Sequence, residues 1–154
     1  MKFIMLVGLP GSGKSTFAES LKEQGYVVHS PDKIRNELNL HDIEDTKKVF
    51  NILYENIFND MEQGKDIVYD SVNLIRRRRK EFLRLIKKYN YEKICYVFIV
   101  PLEICKERND MRVGYSKVKD SEYLKMLNCF NPVFSDEGWD KIIYKLYEEK
   151  ENNL

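Results

Sequence analysis

Gly8-Leu9-Pro10-Gly11-Ser12-Gly13-Lys14-Ser15 stands between an apolar run, Phe3-Ile4-Met5-Leu6-Val7, and a helix-forming stretch from Ser15 to Glu23. The octet completes the pattern G-x-x-x-x-G-K-[ST], and its flanks give the pattern meaning. A strand delivers the loop. The helix behind it presents unpaired N–H groups and a positive dipole end to an anion. Gly8, Gly11 and Gly13 permit backbone angles that a side chain would block. In such a loop Lys14 reaches the β- and γ-phosphates and the Ser15 hydroxyl ligates Mg²⁺, while Gly11, Ser12, Gly13 and Thr16 complete the cradle. The expectation is a nucleoside-triphosphate site that takes ATP with Mg²⁺.

The rest of the chain sets the frame for that loop. Its 154 residues, 33% charged and 43% hydrophobic, suit one globular domain covering positions 1–154. No apolar run nears the roughly 18–20 residues that span a membrane. The first apolar stretch leads straight into the loop, which is not the layout of a signal peptide. Cys95, Cys105 and Cys129 lack C-x-x-C spacing and read as reduced packing thiols of a cytoplasmic protein. A catalytic cysteine is not expected, because neither His29 nor His41 pairs with one in sequence. Net charge is only +1, yet residues 71–119 hold 14 Lys and Arg against 5 Asp and Glu. That asymmetry predicts an electropositive region suited to phosphate-bearing ligands, or else a set of solvated helix faces.

Strand and helix signals alternate along the chain. Tyr26 to His29 reads as a short strand, and Ser30-Pro31 opens a brief helix to Leu38. Asp42 to Asp45 reads as a helix start. Val49, Phe50, Leu53, Tyr54, Ile57, Phe58 and Met61 then recur at helical spacing. Ile67-Val68-Tyr69 is a third strand ending in Asp70, followed by a basic helix from Arg76 to Tyr89 with Phe82, Leu83, Leu85 and Ile86 facing inward. Ile94 to Val100 is a continuous apolar strand, which suits burial on both faces. Helices at 102–109 and 121–129 and a last strand at Lys141 to Leu146 complete the pattern. The fold class is α/β: a three-layer α/β/α phosphate-loop fold with a parallel sheet, adenylate-kinase-like, with a helical lid near 108–130. Ligands of such sheets bind beyond the carboxyl ends of the strands, where the loop, Ser30–Arg35 and Asp70–Asn73 converge.

Phosphate binding alone does not fix a reaction. No N-K-x-D guanine-reading motif occurs, whereas the parts of a kinase do: an acid, arginines and a lid. Asp32 ends the second strand, where a proton acceptor is needed, although an acidic first helical turn accounts for it equally well. Arg35 lies one turn further on, so the two side chains can share a face. Asp70 follows an apolar strand as a Walker-B carboxylate does, and it is expected to act on the metal through water, with Ser15 as the direct ligand. Arg108 and Arg112, four apart on a helix extension, would offer two guanidiniums to the phosphates. The run Arg76-Arg77-Arg78-Arg79-Lys80 fans around a helix and reads chiefly as a solvated surface.

These features together resemble the small phosphate-loop kinases that include the 5′-hydroxyl polynucleotide kinase domain of phage and bacterial nucleic-acid repair enzymes. The resemblance covers nearly the whole chain. It rests on Gly8–Ser15, Asp32 with Arg35, Asp70-Ser71-Val72-Asn73, Arg108-Asn109 followed by Arg112, Phe130-Asn131-Pro132 and Glu137-Gly138-Trp139-Asp140. It implies that Asp32 is the general base on the acceptor hydroxyl and that Arg35 holds the neighbouring phosphate. Lys14 and Ser15 would bind ATP and Mg²⁺, and Arg112 would contact the γ-phosphate from the lid with Arg108 nearby. One departure stands out: relatives often have Val-Pro where Val118-Lys119 occurs here. The implied partner is a single-stranded DNA or RNA end bearing a 5′-hydroxyl. A small-molecule alcohol is the alternative acceptor, and a regulatory nucleotide-binding module or simple NTPase is the alternative of another class. Against that last reading stand the paired Asp32 and Arg35 and the arginine-bearing lid.

Overall fold

β1 (Lys2–Val7) is the element around which the others are laid, because five consecutive residues from Phe3 to Val7 are buried. A strand buried on both faces must sit inside a sheet and be covered twice. The computed structural model describes residues 1–149. It places β1 at the centre of a five-stranded sheet with β3 (Ile67–Asp70) on one side and β4 (Glu92–Ile99) on the other. β2 (Val27–His29) lies outside β3, and β5 (Lys141–Leu146) outside β4, giving the order β2-β3-β1-β4-β5. Every pairing is parallel, with Leu6 opposite Asp70 and Val7 opposite Val97. Parallel neighbours require crossovers, and six helices supply them.

The period-2 alternation of β1 feeds two cores. Phe3, Met5 and Val7 join Val49, Leu53, Ile57 and Met61 of α3 (Thr46–Glu62) and Phe82, Leu83 and Ile86 of α4 (Arg76–Ile86). Ile4 and Leu6 point the other way, onto Ala18 and Leu21 of α1 (Lys14–Glu23). Each fully buried residue of this size contributes about 1.5–3 kcal/mol, so both faces are strongly held. α2 (Pro31–Leu38), α5 (Leu102–Asp110) and α6 (Asp120–Cys129) complete the set. The result is the three-layer α/β/α arrangement expected from the sequence. Among the described residues no helix is long and apolar enough to cross a membrane.

Three expectations need correction. The signal at 42–45 makes a separate 3-10 turn, Ile43–Asp45, closed by a reciprocal capping box between Asp42 and Asp45, before α3 begins. α4 stops at Ile86 rather than Tyr89, and Leu85, expected to face inward, is 45% exposed because the helix turns Phe82, Leu83 and Ile86 to the sheet. α5 ends at Asp110, so Arg112 lies beyond the helix and does not share a helical face with Arg108. The three cysteines are free thiols, Cys95 and Cys105 buried and Cys129 exposed.

Candidate active site

The loop after β1 is clamped before it turns. Gly8 N–H donates to Val72 O at 3.1 Å, and Asn73, in the left-handed region at φ 47°, donates its side-chain amide to Leu6 O at 2.9 Å. The turns after β1 and β3 are therefore built as one unit. Gly11 has a φ of 81°, and a Cβ there would run into the Cys105 carbonyl of α5. Gly13 caps α1 at φ 96°, in the left-handed conformation that L side chains rarely adopt. α1 starts immediately afterwards, so its first N–H groups open into the space beside the loop.

Lys14 is buried, and its Nζ donates to Leu9 O at 2.8 Å and lies 3.4 Å from Ser12 Oγ. Burial pushes its pKa down to about 8, against the pull of the nearby Asp70 carboxylate. Ser15 Oγ donates to Asp70 Oδ2 at 3.0 Å. Asp70 is itself buried, which raises its pKa; Lys14 and the Ser15 hydroxyl oppose that rise. Loop lysine, loop hydroxyl and strand-end carboxylate thus meet within hydrogen-bonding and Coulombic reach.

Asp32 is exposed in the first turn of α2, after Pro31 at the first helical position. β2 pairs with β3 so that His29 lies opposite Tyr69, and α2 therefore starts at the sheet edge where β3 ends in Asp70. Arg35 is turned differently. It donates to Leu40 O at 2.8 Å, Asp42 O at 3.3 Å and Thr46 Oγ1 at 2.9 Å, and so braces the α2–α3 connection. Among the described residues those bonds leave the Nε–H and one terminal N–H without an acceptor. Among the described residues no hydrogen bond or ion pair joins Asp32 to Arg35.

Across the loop, Arg108 donates to Gly11 O at 3.1 Å, and its guanidinium lies 5.8 Å from the Tyr147 ring. Arg112 contacts Ser116 O at 3.3 Å. Both arginines, with Gly11–Thr16, line a cleft of about 910 Å³ whose other wall includes Lys145 and Tyr147. The segment between α5 and α6 is pinned at its base: buried Asn109 exchanges two hydrogen bonds with Val118, at 2.6 and 2.8 Å. At its tip Tyr115 stacks on His41 of the α2–α3 connection, with ring centroids 3.7 Å apart.

Two residues matter that the sequence did not single out. Tyr123 of α6 is fully buried, and its hydroxyl donates to Pro10 O at 2.8 Å, tying α6 to the phosphate loop. Arg79, one of the basic run, is 1% exposed, and one edge of its guanidinium, Nε and Nη2, donates to the two oxygens of Glu137 at 2.9 and 2.8 Å. Of the other arginines of the run with ion pairs, Arg76 meets Asp136 and also approaches the buried Glu137 carboxylate, its Nε 3.9 Å away, and Arg77 meets Glu81 at the surface. A helical phase argument could have flagged Arg79, which shares a face with Phe82, Leu83 and Ile86. Nothing local marks Tyr123.

Residues 3–133 match the protein family described as AAA domain. Among curated proteins, the transcription factor bHLH140 of Arabidopsis thaliana is 28% identical over 113 residues, 73% of this chain and 12% of that protein. The chain therefore spans a small part of the curated relative it matches. Among solved structures, a chain of the Pnkp1/Rnl/Hen1 complex superposes with a TM-score of 0.64 at 23% identity, over 77% of this chain and 42% of that one. A sugar kinase from a Janibacter species, in an unliganded structure, superposes with a TM-score of 0.66 at 18% identity, over 95% of this chain and 85% of that one. At these identities the likeness is one of fold.

Proposed function

This chain belongs to the AAA domain family, and from that premise we propose that it is an ATP-dependent kinase that phosphorylates the 5′-hydroxyl end of a DNA or RNA strand. The observation that carries the reading is Asp32: an exposed carboxylate in the first turn of α2, which begins just beyond β2 at the sheet edge where His29 pairs with Tyr69 beside Asp70. A nucleotide switch has no use for a carboxylate there; a transferase needs one for the acceptor's proton. In the reaction the acceptor oxygen bonds to the γ-phosphorus of ATP, the bond to the β–γ bridging oxygen breaks, and the hydroxyl proton passes to Asp32. Lys14 and the N–H groups at the start of α1 hold the donor phosphates, and Arg108 and Arg112 spread the charge of the transferring group. Residues 108–130 form the lid, and Arg35 steadies the acceptor's neighbouring phosphate with its two remaining N–H donors.

The hydroxyl of Ser15 and the carboxylate of Asp70 are hard oxygen donors 3.0 Å apart, which fits a Mg²⁺ that keeps most of its water and phosphate ligands. Bound there, the ion would neutralise charge on the β- and γ-phosphates. The likeness to a sugar kinase supports a small alcohol as the second reading of the acceptor.

The test is transfer of label from γ-labelled ATP, with Mg²⁺, to short 5′-hydroxyl oligonucleotides. Label on the oligonucleotide supports the reading, and label only on water or on a sugar alcohol overturns it. Asp32→Asn should lower transfer by about 100-fold or more while ATP binding stays intact. Equal turnover in wild type and variant would remove Asp32 from the chemistry.

A further inference from the structure

A second pocket, of about 600 Å³, opens between α3, α4 and α6 and is lined by the turn that follows β3. One wall is aromatic. Phe50 and Tyr54, one turn apart on α3, are half-buried and meet edge to face with centroids 6.3 Å apart. Tyr69 and Phe82 stand behind Tyr54, at 6.4 and 5.0 Å. The opposite edge is polar: Ser71 and Asn73 border the same space, and the Asn73 amide oxygen has no donor among the described residues.

The pocket joins the catalytic groups at two points. Ser71 follows Asp70 directly, and Arg35 donates to Thr46 Oγ1, which lines the pocket, at 2.9 Å. The pocket therefore adjoins Asp70 through Ser71 and Arg35 through Thr46. The charges at the mouth are unequal in their commitments. Glu81 is paired with Arg77 at 3.3 Å, and Glu44 and Lys47 are exposed. Arg78 is exposed as well, and among the described residues no ion pair engages it, unlike Arg76, Arg77 and Arg79. It lines this pocket together with Tyr54 and Tyr69.

We propose that this pocket seats the terminal nucleobase of the acceptor strand, stacked on Phe50 with its edge toward Tyr54, and with Arg78 on the phosphate that follows. The inference rests on the polynucleotide reading above and names where that reading places the acceptor. The volume suits a base with its ribose. A flat π-faced ligand uses the aromatic wall, whereas a small sugar alcohol, dense in hydroxyls, would leave that wall dry and unmatched. Stacking accepts any base, so recognition here is tolerant of sequence.

Steady-state kinetics with two 5′-hydroxyl tetranucleotides test it, one intact and one with its 5′-terminal base replaced by hydrogen. For wild type the abasic acceptor should show a KM about tenfold higher, as the loss of one stacked base implies. In Phe50→Ala the two acceptors should agree within about twofold. Arg78→Gln, at an exposed position that leaves the core untouched, should raise the acceptor KM several-fold and leave the ATP KM unchanged. Equal KM values for the two acceptors in wild type overturn this inference alone, as does an Arg78→Gln effect confined to ATP. Label on neither oligonucleotide but on a sugar alcohol overturns the polynucleotide reading, and this inference with it.

Discussion

Glu137 shows how one buried residue can answer for several others. Its carboxylate accepts from Nε and Nη2 of Arg79, from Trp139 Nε1 at 3.0 Å and from Phe134 N–H at 3.2 Å. Burial by itself would raise its pKa; these donors outweigh burial and hold it below the ordinary 4.5. A carboxylate so depressed contributes stability that is complete above about pH 4.5 and is lost as pH falls below it. Acid unfolding followed by circular dichroism should show that loss for wild type, and Glu137→Gln should flatten the curve below pH 4.5. Arg79→Met strands the carboxylate in the interior and should lower the unfolding free energy in urea by about 3–5 kcal/mol. A change under 1 kcal/mol would mean that water reaches Glu137 after all. Read as sequence, Arg79 was one cation among five; only its phase on α4 and a partner 58 positions away take it out of solvent.

At the scale of elements, α6 is legible as a helix but not as a part of the phosphate loop's support. Its span was read within one residue, because an acidic first turn and helical spacing are local signals. What it does follows from Tyr123, whose hydroxyl reaches Pro10 O across 113 positions. A buried carbonyl that loses its donor costs about 1–3 kcal/mol. Tyr123→Phe should therefore lower stability by about that amount and weaken triphosphate binding several-fold in calorimetry, since the Pro10 carbonyl at the bend of the loop then loses its side-chain donor. Unchanged affinity with lowered stability would confine Tyr123 to a packing role. α2 makes the complementary point. Asp32 and Arg35 are one turn apart, and spacing alone suggests that they act side by side. In the fold Arg35 also braces the α2–α3 connection through three of its N–H groups, and among the described residues no hydrogen bond or ion pair joins it to Asp32.

The whole molecule is graded outward from β1. β1 has strands on both sides and helices on both faces, whereas β2 is a three-residue edge strand whose residues are all half-exposed. β5 forms the other edge, with Tyr144 and Leu146 more than half exposed. Native-state hydrogen exchange should find the amides of Phe3–Val7 opening only with global unfolding, and those of β2 and β5 opening at lower free energy. Equal protection across all five strands would show that the sheet has no weak edges. The sequence by itself determined the alternation of strands and helices, the α/β class and the donor loop. Each of these is written in consecutive residues, where backbone conformation, period and dipole are settled within a few positions. Tertiary structure alone decided that Asp70 meets Ser15 across 55 positions, that Arg79 is buried, that Tyr123 braces the loop and that an aromatic pocket adjoins the turn after β3. The physical reason is that these contacts depend on the order β2-β3-β1-β4-β5 and on which helix face meets the sheet. No local propensity encodes either.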